Sequence, residues 1–174
     1  MDVLLLPPVL GGVGLLAAFI IYRIVKAYPA GDGAVAEIAE SIHSGAMVFM
    51  RREYTILGAF AALITVLLFI GFDTWHTPVA FVAGALCSAI AGYIGMYAAT
   101  QANVRTTVAA NTEGAAAALN VAFYGGSIMG LTVAAMGLLG LGGLYYFFGA
   151  EHAEAIHGFG MGGSTVALFS RVGG

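Results

Sequence analysis

The stretch "YTILGAFAALITVLLFIGF", residues 54–72, carries no charged side chain, and its reading decides the fold. An α-helix rises about 1.5 Å per residue, so about 20 apolar residues cross a hydrocarbon core about 30 Å thick. Four more uncharged stretches, 3–22, 74–104, 114–150 and 155–170, are near or above that length. The chain as a whole is 60% hydrophobic and 9% charged, with a mean hydropathy of +0.95, far from the mix of a soluble domain. The sequence therefore predicts an all-α fold, a polytopic transmembrane helix bundle of about five membrane helices. Their ranges are about 3–27, 54–72, 79–101, 122–148 and 156–174, four complete and the fifth truncated, in a single membrane domain.

The few charges orient these helices. Met1-Asp2 offers no basic leader, and the first apolar run is followed by Arg23 and Lys26. That order favours a retained first helix with its N-terminus outside over a cleaved signal peptide. Arg51, Arg52 and Arg105 then fall on the same, cytoplasmic side as Arg23 and Lys26. The other side receives Asp2, Asp73, Glu151 and Glu154 with His76, His152 and His157, and no Lys or Arg, as the positive-inside rule expects. Trp75 suits an interfacial aromatic belt, Pro78 the first turn of the next helix, and Tyr145 to Phe148 the same outer interface. The short N-terminus and compact loops point to a prokaryotic plasma membrane. A net charge of −3 from so few groups says nothing about partners beyond the lipid bilayer, and no nucleic-acid partner is expected.

Two segments at the cytoplasmic side are more than loops. Across 35–50, Val35, Ile38, Ile42, Ala46 and Phe49 share one helical stripe, with Glu37, Glu40, Ser41 and Ser44 opposite. This predicts an amphipathic helix on the membrane surface or against a neighbouring helix end. Pro29, Gly31 and Gly33 loosen the chain before it. The Ala-rich "QANVRTTVAANTEGAAAALN" (101–120) is expected to continue the third and fourth helices into the cytoplasm.

Small residues are abundant: 26 of 174 are glycine. Gly84, Ser88 and Gly92 stand at four-residue steps, as do Gly126 and Gly130, the spacing that lets membrane helices approach closely. "GFGMGG" (158–163) matches a dinucleotide-binding pattern, but that motif needs a strand before it and a βαβ setting. Here it opens a membrane helix, so close helix packing is the better explanation.

Nothing in the chain is arranged for catalysis or metal binding. His43, His76, His152 and His157 read as solvated loop or interfacial residues, and the five-residue step from His152 to His157 is poor ligand spacing. Cys87 is the only cysteine, a small packing residue that can form no intrachain disulfide. There is no Ser/His/Asp arrangement, no P-loop and no pair of intramembrane carboxylates.

Arg171 is the exception to a pattern that keeps charge out of the spans. If the last helix starts near His157, Arg171 lies about 21 Å along the helix axis. An arginine in mid-membrane costs about 2.5 to 3.5 kcal/mol on insertion scales, and such residues usually face a polar path. Depth alone leaves two readings open, a snorkelling anchor or a working residue, and no carboxylate of the chain is expected to pair with it.

Three long segments then carry a resemblance. "GALCSAIAGYIGMYAATQANVRTTVAA" (84–110), "ALNVAFYGGSIMGLTVAAMGLLGL" (118–141) and "GFGMGGSTVALFSRVGG" (158–174) resemble membrane-bound, ion-translocating pyrophosphatases. "GAMVFMRREY" (45–54) is similar to the segment leading into that family's second helix. The resemblance implies a homodimeric pump that couples magnesium-pyrophosphate hydrolysis to translocation of H⁺ or Na⁺. It also implies that these residues are its first four helices, in an outer ring, and the start of a fifth, in the inner ring. After "RVGG" the family continues with a glycine, a lysine and a carboxylate-rich segment of the type DVGAD that binds substrate and Mg²⁺. None of these is present, so Mg²⁺ is expected on residues beyond this chain and no catalytic residue within it. Only the arginine of "ALFSRVGG" carries over: Arg171 is implied to belong to the ion-conducting path. H⁺ versus Na⁺ specificity and K⁺ dependence stay open. Alone, the 174 residues are expected to be inactive. The rival readings are a small, free-standing oligomeric channel or scaffold without enzyme activity, and a helper subunit for a separately encoded remainder.

Overall fold

A computed structural model describes the backbone of residues 3–149, 152 and 154–173, and the side chains of these except 3, 154 and 171–173. A short 3-10 turn, Val3–Leu5, leads into five helices: α1 (Leu6–Ala27), α2 (Ala34–Gly71), α3 (His76–Thr112), α4 (Ala115–Phe148) and α5 (Glu154–Gly173). No strand occurs among the described residues. Helices α1 to α4 are each long and apolar enough to cross a membrane. The chain is an all-α, multi-pass membrane bundle, as its uncharged stretches predict.

Local chemistry explains where the helices stop. Pro7 and Pro8 occupy the first turn of α1, where a missing N–H costs nothing. Between α1 and α2 the chain turns through Gly31 (φ 77°) and Gly33 (φ 58°), conformations that L side chains resist. Gly114 (φ 91°) serves the same purpose between α3 and α4. That connection is so short that the two helices must run antiparallel.

The largest departure from expectation is α2. Segments 35–50 and 54–72 are one helix of 38 residues, about 57 Å long, not a surface helix followed by a span. Arg51, Arg52 and Glu53 are ordinary helix formers, so nothing breaks the backbone between the two patterns. Nor does the apolar stripe dock on the bundle. Val35, Ile38, Ile42 and Phe49 are exposed, while Ala39, His43, Met47 and Met50 turn inward on the adjoining face.

Helix α3 is the centre of the bundle. It packs most extensively on α5 and α4 and less on α2, and α1 lies against α4. Three small buried clusters hold the helices together. Val25, Ala98, Ala102 and Ile128 join α1, α3 and α4; Leu57, Ala85 and Val166 join α2, α3 and α5; Ala80, Ala155 and Phe159 join α3 and α5. Most other large apolar side chains face outward, including Leu67, Ile70 and Phe147. That is the surface of a body solvated by lipid or by more protein.

Candidate functional site at the crossing of α5 over α3

The pattern "GFGMGG" is where α5 meets α3. A β-carbon on Gly158 would stand 2.5 Å from the carbonyl oxygen of Thr77. One on Gly162 would collide with the carbonyl of Phe81, and one on Gly84 with that of Phe159. Four-residue spacing puts Gly158 and Gly162 on one face of α5, and that face lies backbone to backbone on α3. The packing reading of this motif therefore holds, with α3 as the partner.

Other small residues behave differently from their spacing. Gly92 faces the hydroxyl of Tyr54, 2.9 Å from its added β-carbon, and Gly125 faces Ala102. Gly126 and Gly130, which share the contact spacing, have nothing within 4 Å. The residue beside the expected pair, not the pair, makes the contact on α4.

The crossing steers α5 from α4 toward α2. At its start, Ala155 and Phe159 pack with Ala80 on α3 and with Leu144 and Phe148 on α4. Further on, Val166 packs with Leu57 on α2, and Phe169 reaches Phe60 at a ring distance of 4.7 Å. Helices α4 and α5 thus diverge and leave a groove of about 770 Å³ floored by α3. Its lining includes Met96 on α3, Met136 on α4, Ser164 and Ser170 on α5, and Met50 and Glu53 on α2.

Glu53 is the one acid in that lining. It is half-buried, and its Oε1 is shut off from solvent with no hydrogen-bond partner among the described residues. Sequence position alone puts no carboxylate near Arg171. In the structure Glu53 shares the groove with Ser170, the residue before it, because α2 and α5 converge there. Arg171 itself lies within α5, and its side chain is outside the described residues.

A second polar cluster ties α2 to α3. The Thr100 hydroxyl donates to the carbonyl of Tyr97 (2.9 Å), and its oxygen lies 2.8 Å from His43 Nδ1. With its hydrogen given to Tyr97, the Thr100 oxygen can accept from His43 when the imidazole carries its proton on Nδ1. The His43 ring also meets Tyr97 edge-on at 5.1 Å, and Tyr97 in turn lies 6.3 Å from Tyr22 on α1. One turn away, Arg105 is only 6% exposed; its Nη1 donates to the carbonyl of Gln101 (2.7 Å) and to its Oε1 (3.1 Å). One sequence expectation changes here: His43 is a bonded interhelical residue, not a solvated loop residue. Arg105, which the sequence assigns only to the cytoplasmic side, is a buried cation within α3. The available signal for His43 was its place on the Ala39–Met47–Met50 face, which the more conspicuous apolar stripe obscured.

At the opposite end, His76 is half-buried at the start of α3. Its ring stacks on His152 at 3.9 Å and 18°, with Trp75 and Phe148 at 4.4 and 5.0 Å. His157 is exposed. Among the described residues no group of three or more His, Cys, Asp or Glu could hold a metal ion. These residues thus do not fit a magnesium site, and no step through Mg²⁺ is assigned to them.

The family model described as inorganic H+ pyrophosphatase matches residues 12–174. The chain is 45% identical over 165 residues to a putative K(+)-stimulated pyrophosphate-energized sodium pump of Clostridium tetani, covering 94% of this chain and 24% of that protein. It is 40% identical over 172 residues to the K(+)-insensitive pyrophosphate-energized proton pump 2 of Moorella thermoacetica, covering 96% and 25%. A K(+)-stimulated pyrophosphate-energized sodium pump of Thermotoga maritima is 40% identical over 167 residues, 84% of this chain and 23% of that protein. The chain spans about a quarter of the length of the curated relatives it matches. A match along nearly the whole chain places it plainly: it belongs to the inorganic H+ pyrophosphatase family.

Proposed function

We propose that these residues form the N-terminal membrane portion of a pump that couples pyrophosphate hydrolysis to translocation of H⁺ or Na⁺. The observation that carries the reading is the family match over 12–174, shared with relatives named as pumps of both ions. The five-helix bundle suits that role, with α5 laid on α3 by glycine contacts so that its last turns reach the Glu53 groove. Substrate and Mg²⁺ are handled by the remaining three quarters of the protein. The working assembly is a homodimer in a prokaryotic plasma membrane, with the N-terminus outside.

Within this portion Arg171 is the ion-path residue. A fixed guanidinium beside a carboxylate favours the ionised acid and gives a translocated cation a competitor for it. Such a residue needs a rigid helix behind it, which the α3–α5 crossing supplies.

The deciding experiment uses the full-length protein in sealed vesicles. Magnesium and pyrophosphate should together drive H⁺ or Na⁺ uptake with release of phosphate. A full-length protein that binds lipid and oligomerises but neither hydrolyses nor transports would instead support a non-enzymatic channel or scaffold.

A further inference from the structure

The ends of α1 and α3 remote from Trp75 carry cations without a counter-charge. Arg105 on α3 is 6% exposed, and its hydrogen bonds go to the neutral Gln101 and to no carboxylate among the described residues. Burying a charge is costly unless it is paired. Its Nε is enclosed, so a ligand reaches the guanidinium only through Nη2, which is neither enclosed nor bonded among the described residues. Across the contact, Tyr22 on α1 meets Tyr97 on α3, and Arg23 and Arg105 both lie near enough to act on the Tyr22 hydroxyl. Lys26 stands one turn beyond Tyr22 on the same face of α1. Arg23 and Lys26 are exposed. The nearest acid along the chain, Asp32, is exposed on the α1–α2 connection and does not bond Arg105.

Depth selects the anion. Trp75, His76 and Phe148 cluster at the other end, as an interfacial aromatic belt does. Arg105 lies about 43 Å along α3 from His76, and a bilayer with its headgroups is about 40 to 45 Å thick. Val25 packs with Ala98 and Ala102, which brings Arg23 and Lys26 within about two turns of Arg105 along the bundle. Helix α1 packs chiefly on α4, and its Phe19, Ile20 and Ile24 are exposed beneath the cations. We propose that Arg23, Lys26 and Arg105 hold the headgroup of an anionic phospholipid. Basic pockets between membrane helices at headgroup depth suit such lipids. Arg105 Nη2 and the two exposed cations donate to phosphate oxygens, while the acyl chains run down the apolar face of α1. Free phosphate or pyrophosphate offers the same oxygens but nothing to cover Ile20 and Ile24. The site does not depend on whether the protein pumps.

The test is native mass spectrometry of the full-length protein in detergent, titrated with phosphatidylglycerol or phosphatidylcholine. Phosphatidylglycerol should bind at least about fivefold more tightly, since each cation near a membrane surface contributes about that factor. Arg23→Gln combined with Lys26→Gln, at exposed positions where folding is not at stake, should weaken phosphatidylglycerol at least about tenfold. Phosphatidylcholine binding should not change. Arg51→Gln with Arg52→Gln removes the same charge from exposed positions on α2 and should alter phosphatidylglycerol binding less than about twofold. Arg105→Gln should weaken it at least about fivefold; if that variant does not fold, the exposed pair decides. Equal binding of the two lipids would overturn the proposal. So would equal losses from both pairs of substitutions, which would indicate diffuse attraction to charge. Excess inorganic phosphate at constant ionic strength should leave the lipid in place. Its full displacement would assign the site to a free anion and overturn the lipid as occupant.

Discussion

Gly162 on α5 lies so close against the carbonyl of Phe81 on α3 that no β-carbon fits between them. The obstacle is backbone on both sides, so no side chain can move aside to make room. Gly162→Ala and Gly84→Ala should therefore separate the helices and destabilise the full-length protein by about 1 to 3 kcal/mol or more each. Gly130→Ala, with open space around the site, is the matched control and should leave stability unchanged. Thermal unfolding in detergent, followed by near-ultraviolet circular dichroism, separates the two groups. Equal behaviour of all three variants would contradict the crossing.

Tyr54 donates its hydroxyl hydrogen to the carbonyl of Ala89, 2.6 Å away, across the α2–α3 contact. Tyr54→Phe should lose about 0.5 to 1.5 kcal/mol, the usual net worth of such a bond. Gly92→Ala crowds the same hydroxyl. The double variant should consequently lose less than the sum of the singles, which a double-mutant cycle on unfolding free energies reads directly.

His43 and Thr100 are 57 residues apart in sequence and 2.8 Å apart in space. Combining His43→Ala with Thr100→Val should reveal a coupling of about 0.5 to 1.5 kcal/mol. Strict additivity would mean that the α2 extension does not use this bond. The informative control is Ile38→Ala: that side chain is exposed, so its removal should show no coupling to Thr100→Val.

Arg171→Ala in the full-length protein should abolish ion uptake in vesicles and lower pyrophosphate hydrolysis with it. Arg171→Lys, a cation without the planar fork, should recover only part of the transport. Undiminished uptake by Arg171→Ala would return the residue to the role of an interfacial anchor.

The orientation is checked by labelling. In a Cys87→Ser background, Asn111→Cys in intact cells should resist a membrane-impermeant maleimide and react only after the membrane is opened. Asp73→Cys should react in intact cells. Both positions are exposed, so access to the reagent depends only on the side of the membrane.

Much of this architecture is legible in the amino-acid sequence. Span length, helix type and the break at Gly31 and Gly33 follow from local rules of hydropathy and backbone freedom. Even "GFGMGG" can be read as packing, because a nucleotide motif has no strand to follow in this chain. Less legible is the choice between faces. Val35, Ile38, Ile42 and Phe49 form the more apolar stripe of α2, yet the helix docks through His43, because α3 presents Thr100 and Tyr97 there. Gly126 and Gly130 have contact spacing but no contact, since α4 is rotated to bring Gly125 against Ala102.

The sequence by itself determined that this chain is a membrane-crossing helical bundle and which family it resembles. Both rest on properties that each segment carries within itself, its length, its hydropathy and its motifs. Only the tertiary structure decided which helix meets which: that α5 lies on α3, that it crosses from α4 to α2, and that Glu53 shares a groove with Ser170. These are relations between distant segments, set by where backbones can touch and which polar groups find a partner. The spacing of residues along one helix does not contain them.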